Sequence, residues 1–369
     1  MTAGVVTVRN RLGHALHCIL EEPAGGAGGT QIAAVLLCPG IKMRVGPHRL
    51  YRKLSKPFLE RGIPVMRVDF RGLGDSEGDW PDDSLQQIYR LTELGHCVGD
   101  ARSALDWLEA RFGIRRFIVG GLCGAAITAL HLAAEDARLS ALYAVGLPAR
   151  LDGTGEQPCA TRGELSSQWS RYLRKLGRPR AWLRFLSLQS DYRLLWRSVA
   201  RRLGTSRTDP ATQGDRPAPD LNPQLPAGML ALLQAGRTAL ILFGENDPRR
   251  WDFEEKFLQP WSAVLEPYRA QIAYSVIPGA NHVLGNPAAV AAANRLTDAW
   301  LEAQASLPQI ALPAQESTPA MRRSARGSGA NGIHPPALEC LVKPMRASSP
   351  QDAQLCSTTE YSSSTRLQK

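Results

Sequence analysis

Six short apolar runs, separated by stretches of helical character, constrain this chain more than any other feature of its sequence. They are AAVLLC (33–38), IPVMRVDF (63–70), RRFIVGG (115–121), SALYAVG (140–146), TALILFG (238–244) and IAYSVI (272–277). AAVLLC is apolar throughout and stops at Pro39–Gly40, the pattern of a strand buried on both faces. Two further strands are expected at 5–10 and 15–23, joined by a turn at Arg11–His14. Helices are expected at 48–61, at 84–112 with one break near Gly95 or Gly99, and at 124–135, 251–267 and 288–304. Strands alternating with helices predict an α/β fold, a mostly parallel central sheet with helices on both faces.

The 369 residues suffice for one large domain with an insertion and a tail. Residues 1–149 hold the first part of the core, and residues 231–305 hold the second. Between them, residues 150–230 carry no core strand and are expected to form a helical cap. Residues 306–369, rich in Ser, Pro, Gln and Arg without periodicity, are expected to be a disordered tail.

The formal net charge of +10 concentrates in the insertion. Residues 171–204 carry ten Lys and Arg against one acid, Asp191, beside Trp182, Phe185, Leu194 and Trp196. This reads as two amphipathic helices. Either they form a basic lid for an anionic or amphiphilic substrate or an anionic lipid surface, or their apolar faces pack on the core and the arginines are solvated. The absence of zinc spacings, RNA-binding signatures and a Walker ending argues against nucleic acid as a partner.

Seven scattered cysteines without a C-x-x-C pair fit a reducing compartment and no metal or cofactor site. MTAGVVTVRNRLG lacks the apolar stretch of a signal peptide, and no run reaches the roughly 18 apolar residues of a membrane span. A cytoplasmic protein is expected, with peripheral membrane contact left open.

VGGLCGAA sets Cys123 between an apolar strand and a small-residue helix. On such a turn, small neighbours avoid clashes, and the helix N-terminus favours a thiolate. The Gly124 N–H would face a developing oxyanion. The same segment would also suit a buried structural cysteine, so other groups must decide. ILFGENDP places Asp247 four residues beyond Phe243, and VIPGANHVLG places His282 five beyond Ile277. Loops after parallel strands gather at one sheet edge, where Cys123, Asp247 and His282 could meet. His282 would move the proton and Asp247 would orient it, with Glu245 as a competing acid. The second oxyanion donor is expected after LLCPG, at the Ile41 N–H, with Gly40 letting the backbone approach.

LLCPG (36–40), VDFRGLGDSEG (68–78), GLCGA (121–125), GENDP (244–248) and GANH (279–282) together resemble the α/β-hydrolase superfamily over residues 5–304. The resemblance implies an α/β-hydrolase fold. It assigns Asp69, Arg71 and Ser76 to shaping a turn rather than to chemistry. Cys123 stands where the usual Gly-x-Ser-x-Gly elbow has serine, as in the dienelactone-hydrolase branch. Ala125 replaces the second glycine, and Pro39-Gly40 replaces the usual His-Gly. GLCGAAITAL and YLRKLGRPRAWLRFLSLQSDYRLLW resemble hydrolases associated with bacterial exosortase and exopolysaccharide gene sets. The implied activity is acyl hydrolysis of an ester or thioester through a covalent acyl-enzyme. Its substrate would be small or amphiphilic, anionic or carrier-bound. Acyl transfer from the same intermediate and a non-catalytic interaction domain are the alternatives.

Overall fold

Thr2–Arg9 (β1) and Ala15–Glu22 (β2) pair antiparallel from Thr2↔Glu22 to Arg9↔Ala15. The Asn10 side chain closes their turn by accepting from the amides of Leu12 and His14. The computed structural model describes residues 2–27, 30–40, 42–81, 84–151 and 220–306. Ile41, insertion residues 152–219 and tail residues 307–369 lie outside these.

Six more strands complete one eight-stranded sheet in the order β1-β2-β4-β3-β5-β6-β7-β8. They are β3 (Ile32–Leu37), β4 (Val65–Val68), β5 (Arg116–Leu122), β6 (Leu139–Val145), β7 (Thr238–Gly244) and β8 (Ile272–Ile277). β2 meets β4 antiparallel, and the later pairings are all parallel. Successive side chains of a strand point to opposite faces. Hence Val35, Val119, Leu142 and Ile241 enter one core, while Leu36, Ile118, Tyr143 and Leu240 enter the other.

Two groups of helices cover these faces. α1 (Leu50–Leu54), α2 (Lys56–Glu60) and the C-terminal Pro287–Ser306 cover one. Val98–Phe112, Gly124–Glu135 and Gln224–Gln234 cover the other, where Leu105, Leu130 and Met229 are buried. In chain order, Leu85–Glu93 is α3, and the three helices of the second group are α4, α5 and α6. α7 (Pro248–Phe253) and α8 (Ser262–Leu265) come next, and Pro287–Ser306 is α9.

The expected helix at 48–61 is broken into α1 and α2. Pro57 lacks an N–H, and the Ser55 hydroxyl donates to Tyr51 O at 2.8 Å at the joint. The helix expected at 251–267 is likewise divided: α7 runs into a π-helical turn at Glu254–Leu258, and Pro260 separates that turn from α8. The break in 84–112 falls at Gly95, whose φ is 89°, whereas Gly99 lies inside α4.

α6 begins inside the stretch assigned to the insertion from sequence. Leu225, Leu232 and Leu233 carry it into the core. The insertion leaves and rejoins the core at one place. Arg150 and Leu221 form an antiparallel bridge, and the Leu151 N–H donates to Asp220 O at 3.2 Å. Among the described residues no helix is long and apolar enough to cross a membrane.

Candidate active site

Cys123 occupies the single residue between β5 and α5. Its φ of 55° and ψ of −113° are unfavourable for a side chain with a Cβ, and such strain persists only where surroundings impose it. Here the Cys123 N–H donates to Val145 O at 2.8 Å, and the next residue already starts the helix. The residue is 7% exposed. Gly124 supplies the first amide of α5, which has no acceptor within its own helix.

Asp247 follows β7 and is the N-cap of α7, with Pro248 at the first helical position. Its Oδ1 accepts from the Arg249 N–H at 3.0 Å. That bond fixes the carboxylate and turns Oδ2 toward His282 Nδ1, 2.8 Å away. The Asp247 side chain is fully buried, while His282 keeps a partly open edge. Glu245, the competing acid in the sequence, instead accepts from the Gly279 N–H at 2.7 Å and ties the two loops together. The Asn246 N–H adds a bond to Ala280 O at 2.8 Å.

The residue after β6 shapes the same place. Gly146 has φ 62°, and a Cβ there would stand 2.7 Å from His282 Cε1 and 3.1 Å from Asp247 Oδ2. Only a residue without a side chain leaves room for this pair. Gly146 ends an apolar strand at the same sheet edge as the other site loops. That position was a readable signal, although no chemical motif marks it.

Charge at the thiol is set by its neighbours. Burial alone would push the Cys123 thiol up. The Arg249 guanidinium, then the hydrogen bond and charge of His282, outweigh burial and hold the thiol below its ordinary value. His282 behaves oppositely. Burial disfavours its charged form, but the bonds to Asp247 and Cys123 lift it to about 9. Together these directions favour a thiolate–imidazolium pair. Arg249 reaches within 3.9 Å of Glu93, a buried carboxylate at the end of α3. Sequence reasoning missed Arg249 and Glu93; the only signal for Arg249 was its place two residues after Asp247.

Residues 35–293 match the model of the alpha/beta hydrolase family. The chain belongs to the alpha/beta hydrolase family. The stretch holds Cys123, Asp247 and His282 and covers well over half of the chain. No curated protein matches this hydrolase significantly. Solved structures that it resembles include a hypothetical protein of Pseudomonas aeruginosa, at 20% identity and TM-score 0.49, covering 82% of this chain and 93% of the other. An esterase of Pyrococcus furiosus matches at 13% identity and TM-score 0.49, with 82% and 91% covered. An alpha-beta serine hydrolase homologue from Coxiella burnetii matches at 15% identity and TM-score 0.44, with 82% and 98% covered.

These findings correct the narrower resemblance expected from sequence. The matching family is that of alpha/beta hydrolases at large, with no cysteine-nucleophile branch singled out. Membership of a cysteine-nucleophile branch, whether of dienelactone-hydrolase or exosortase-associated type, is not supported. A sulfur at one elbow position does not carry a branch when the surrounding fold is common to the whole family.

The loop after β4 is structural, as the resemblance implied. Asp69 is buried against the backbone N–H and guanidinium of Arg44. The Ser76 hydroxyl donates to Asp69 O at 3.1 Å and accepts from the His17 N–H at 2.9 Å. The Arg71 N–H donates to Asp100 at 2.9 Å. Ile41, the expected second oxyanion donor, lies outside the described residues. Among those residues, no group of three or more His, Cys, Asp or Glu side chains could hold a metal ion.

Proposed function

We propose that this alpha/beta hydrolase is an acyl hydrolase that cleaves an ester or thioester through a Cys123–His282–Asp247 triad. The observation that carries the reading is the 2.8 Å contact between His282 Nδ1 and Asp247 Oδ2, near a thiol on a strained strand-to-helix turn whose pKa the imidazole lowers. Asp247 fixes the tautomer and supports the charged imidazole, leaving Nε2 for proton transfer.

In the first step the Cys123 thiolate forms a bond to the carbonyl carbon, and the carbonyl π electrons move to oxygen. The Gly124 N–H meets that oxyanion, with Ile41 proposed as the second donor. Imidazolium then gives its proton to the leaving alkoxide or thiolate, and that bond breaks to leave a thioester. Water, losing a proton to His282, attacks the thioester. Collapse releases the acid and restores the thiolate.

Thioesters and activated esters suit this nucleophile better than amides do, because a thiolate leaves an intermediate more readily than a poor leaving group. The part of residues 150–230 that precedes α6 is proposed as a basic cap that favours an anionic or carrier-bound acyl substrate. The test is intact-protein mass after incubation with acyl thioesters and activated esters, comparing wild type with C123A. An acyl adduct or turnover with wild type, and neither with C123A, is the expected result. Equal turnover by both proteins would overturn the triad.

A further inference from the structure

Tyr51, on α1, is completely buried, yet its hydroxyl makes two backbone bonds beside the elbow. It donates to Leu37 O at 2.7 Å and accepts from the Leu122 N–H at 2.9 Å. Leu37 is the last residue of β3 before Cys38-Pro39-Gly40, and Leu122 immediately precedes Cys123. The β3–β5 register ends at Leu36↔Gly120. Carried one step further, it would pair Leu37 with Gly121. Instead, a carbonyl of one strand and an amide of the other both bond the phenol oxygen. The hydroxyl therefore occupies the gap where the two strands part.

We propose that Tyr51 is a positioning residue whose hydroxyl spaces the β3 loop, up to Gly40, from the Cys123–Gly124 elbow and so sets the geometry in which the Gly124 N–H meets a developing oxyanion. The proposal rests on Cys123 being the nucleophile.

Two independent distances fit a spacer. A Cβ on Gly121 would lie 2.4 Å from the Tyr51 hydroxyl, so the first glycine of the elbow is the hole that receives this oxygen. A Cβ on Gly124 would lie 3.4 Å from Gly40 N, so beyond the gap the β3 loop comes back against the first residue of α5. Burial pushes the Tyr51 phenol up, which keeps its proton available to Leu37 O.

Y51F keeps the ring and removes both bonds. Single-turnover acylation by p-nitrophenyl acetate reads the oxyanion site. Alkylation of Cys123 by iodoacetamide does not, because displacement of iodide at a tetrahedral carbon develops no oxyanion. The acylation rate of Y51F is expected to fall about tenfold to a hundredfold, while its alkylation rate stays within about twofold of wild type. Unchanged acylation, or acylation and alkylation falling together, would overturn the spacer role.

Should Y51F not fold, p-aminophenylalanine at position 51 decides. It is nearly isosteric, still donates to Leu37 O, and accepts only weakly from Leu122. Acylation slowed several-fold with normal alkylation supports the proposal; wild-type acylation overturns it. A wild type that alkylates at Cys123 but never acylates with this ester or with acyl thioesters overturns the nucleophile reading and the Tyr51 role with it. A wild type that acylates as fast as its Tyr51 variants overturns the Tyr51 role alone.

Discussion

At the scale of single residues, the proposed pairing of Cys123 with His282 couples their titrations, because each group shifts the other's pKa. The thiol is held low and the imidazole high, so the reactive form lies between the two. Loss of the thiolate limits it on the acid side. On the alkaline side the limit is loss of the imidazolium proton near about 9. We expect a bell-shaped pH profile of kcat/KM for an activated ester, with its alkaline limb near pH 9. A profile rising steadily through that pH would contradict the pair. H282A removes the bond and charge that oppose burial, so the alkylation midpoint of Cys123 should move to higher pH. Its acylation rate should fall roughly 10²- to 10⁴-fold. R249M removes the largest charge effect that holds the thiol low, and should move the acid limb of the same profile upward. A limb that stays in place would show that Arg249 does not act on the sulfur.

At the scale of elements, the candidate site lies at the C-terminal ends of four neighbouring strands. β5 ends in Cys123, β6 in Gly146, β7 in the Asp247 loop and β8 in the His282 loop. G146A tests this assembly. The added carbon would meet His282 Cε1 at 2.7 Å, and the left-handed backbone disfavours any side chain. We expect kcat to fall on the order of 10²-fold, since a displacement of about 1 Å at a catalytic group costs that much. Far-UV circular dichroism should be unchanged, and wild-type kcat would disprove the crowding argument.

The strands were legible because buried parallel strands are continuous apolar runs, and IAYSVI was bounded correctly to the residue. The Asp-Pro and Asn-Pro steps at Asp247 and Asn286 also signal helix starts, and both side chains accept from the first helical turn. The helix breaks near Ser55 and Glu254 were missed although Pro57 and Pro260 were readable signals for them. Tyr51 was invisible as a site residue: its role depends on bonds to Leu37 and Leu122, which lie 14 and 71 positions away.

At the scale of the whole molecule, the insertion and the acid loop share a foundation. Arg150 and Asp220 stand at the two ends of the insertion. Lys256, in the turn that continues α7, bonds Asp220 and Asp252, each at 2.7 Å, and Arg150 lies 3.8 Å from Asp252. Lys256 and Asp220 are almost wholly buried. Burial disfavours the Lys256 charge, but the two carboxylates more than compensate and raise its pKa. K256M would leave Asp220 and Asp252 near one another without their shared cation. Removing one member of a buried ion network costs about 3–5 kcal/mol, so the urea midpoint should fall clearly. α7 starts at Asp247, so the lesion should also reach the site as a loss of kcat under conditions where the variant remains folded. The double variant K256M/D220N, with one fewer uncompensated charge, should recover part of the stability. A K256M protein as stable as wild type would show that this cluster does not hold the base of the insertion to the core.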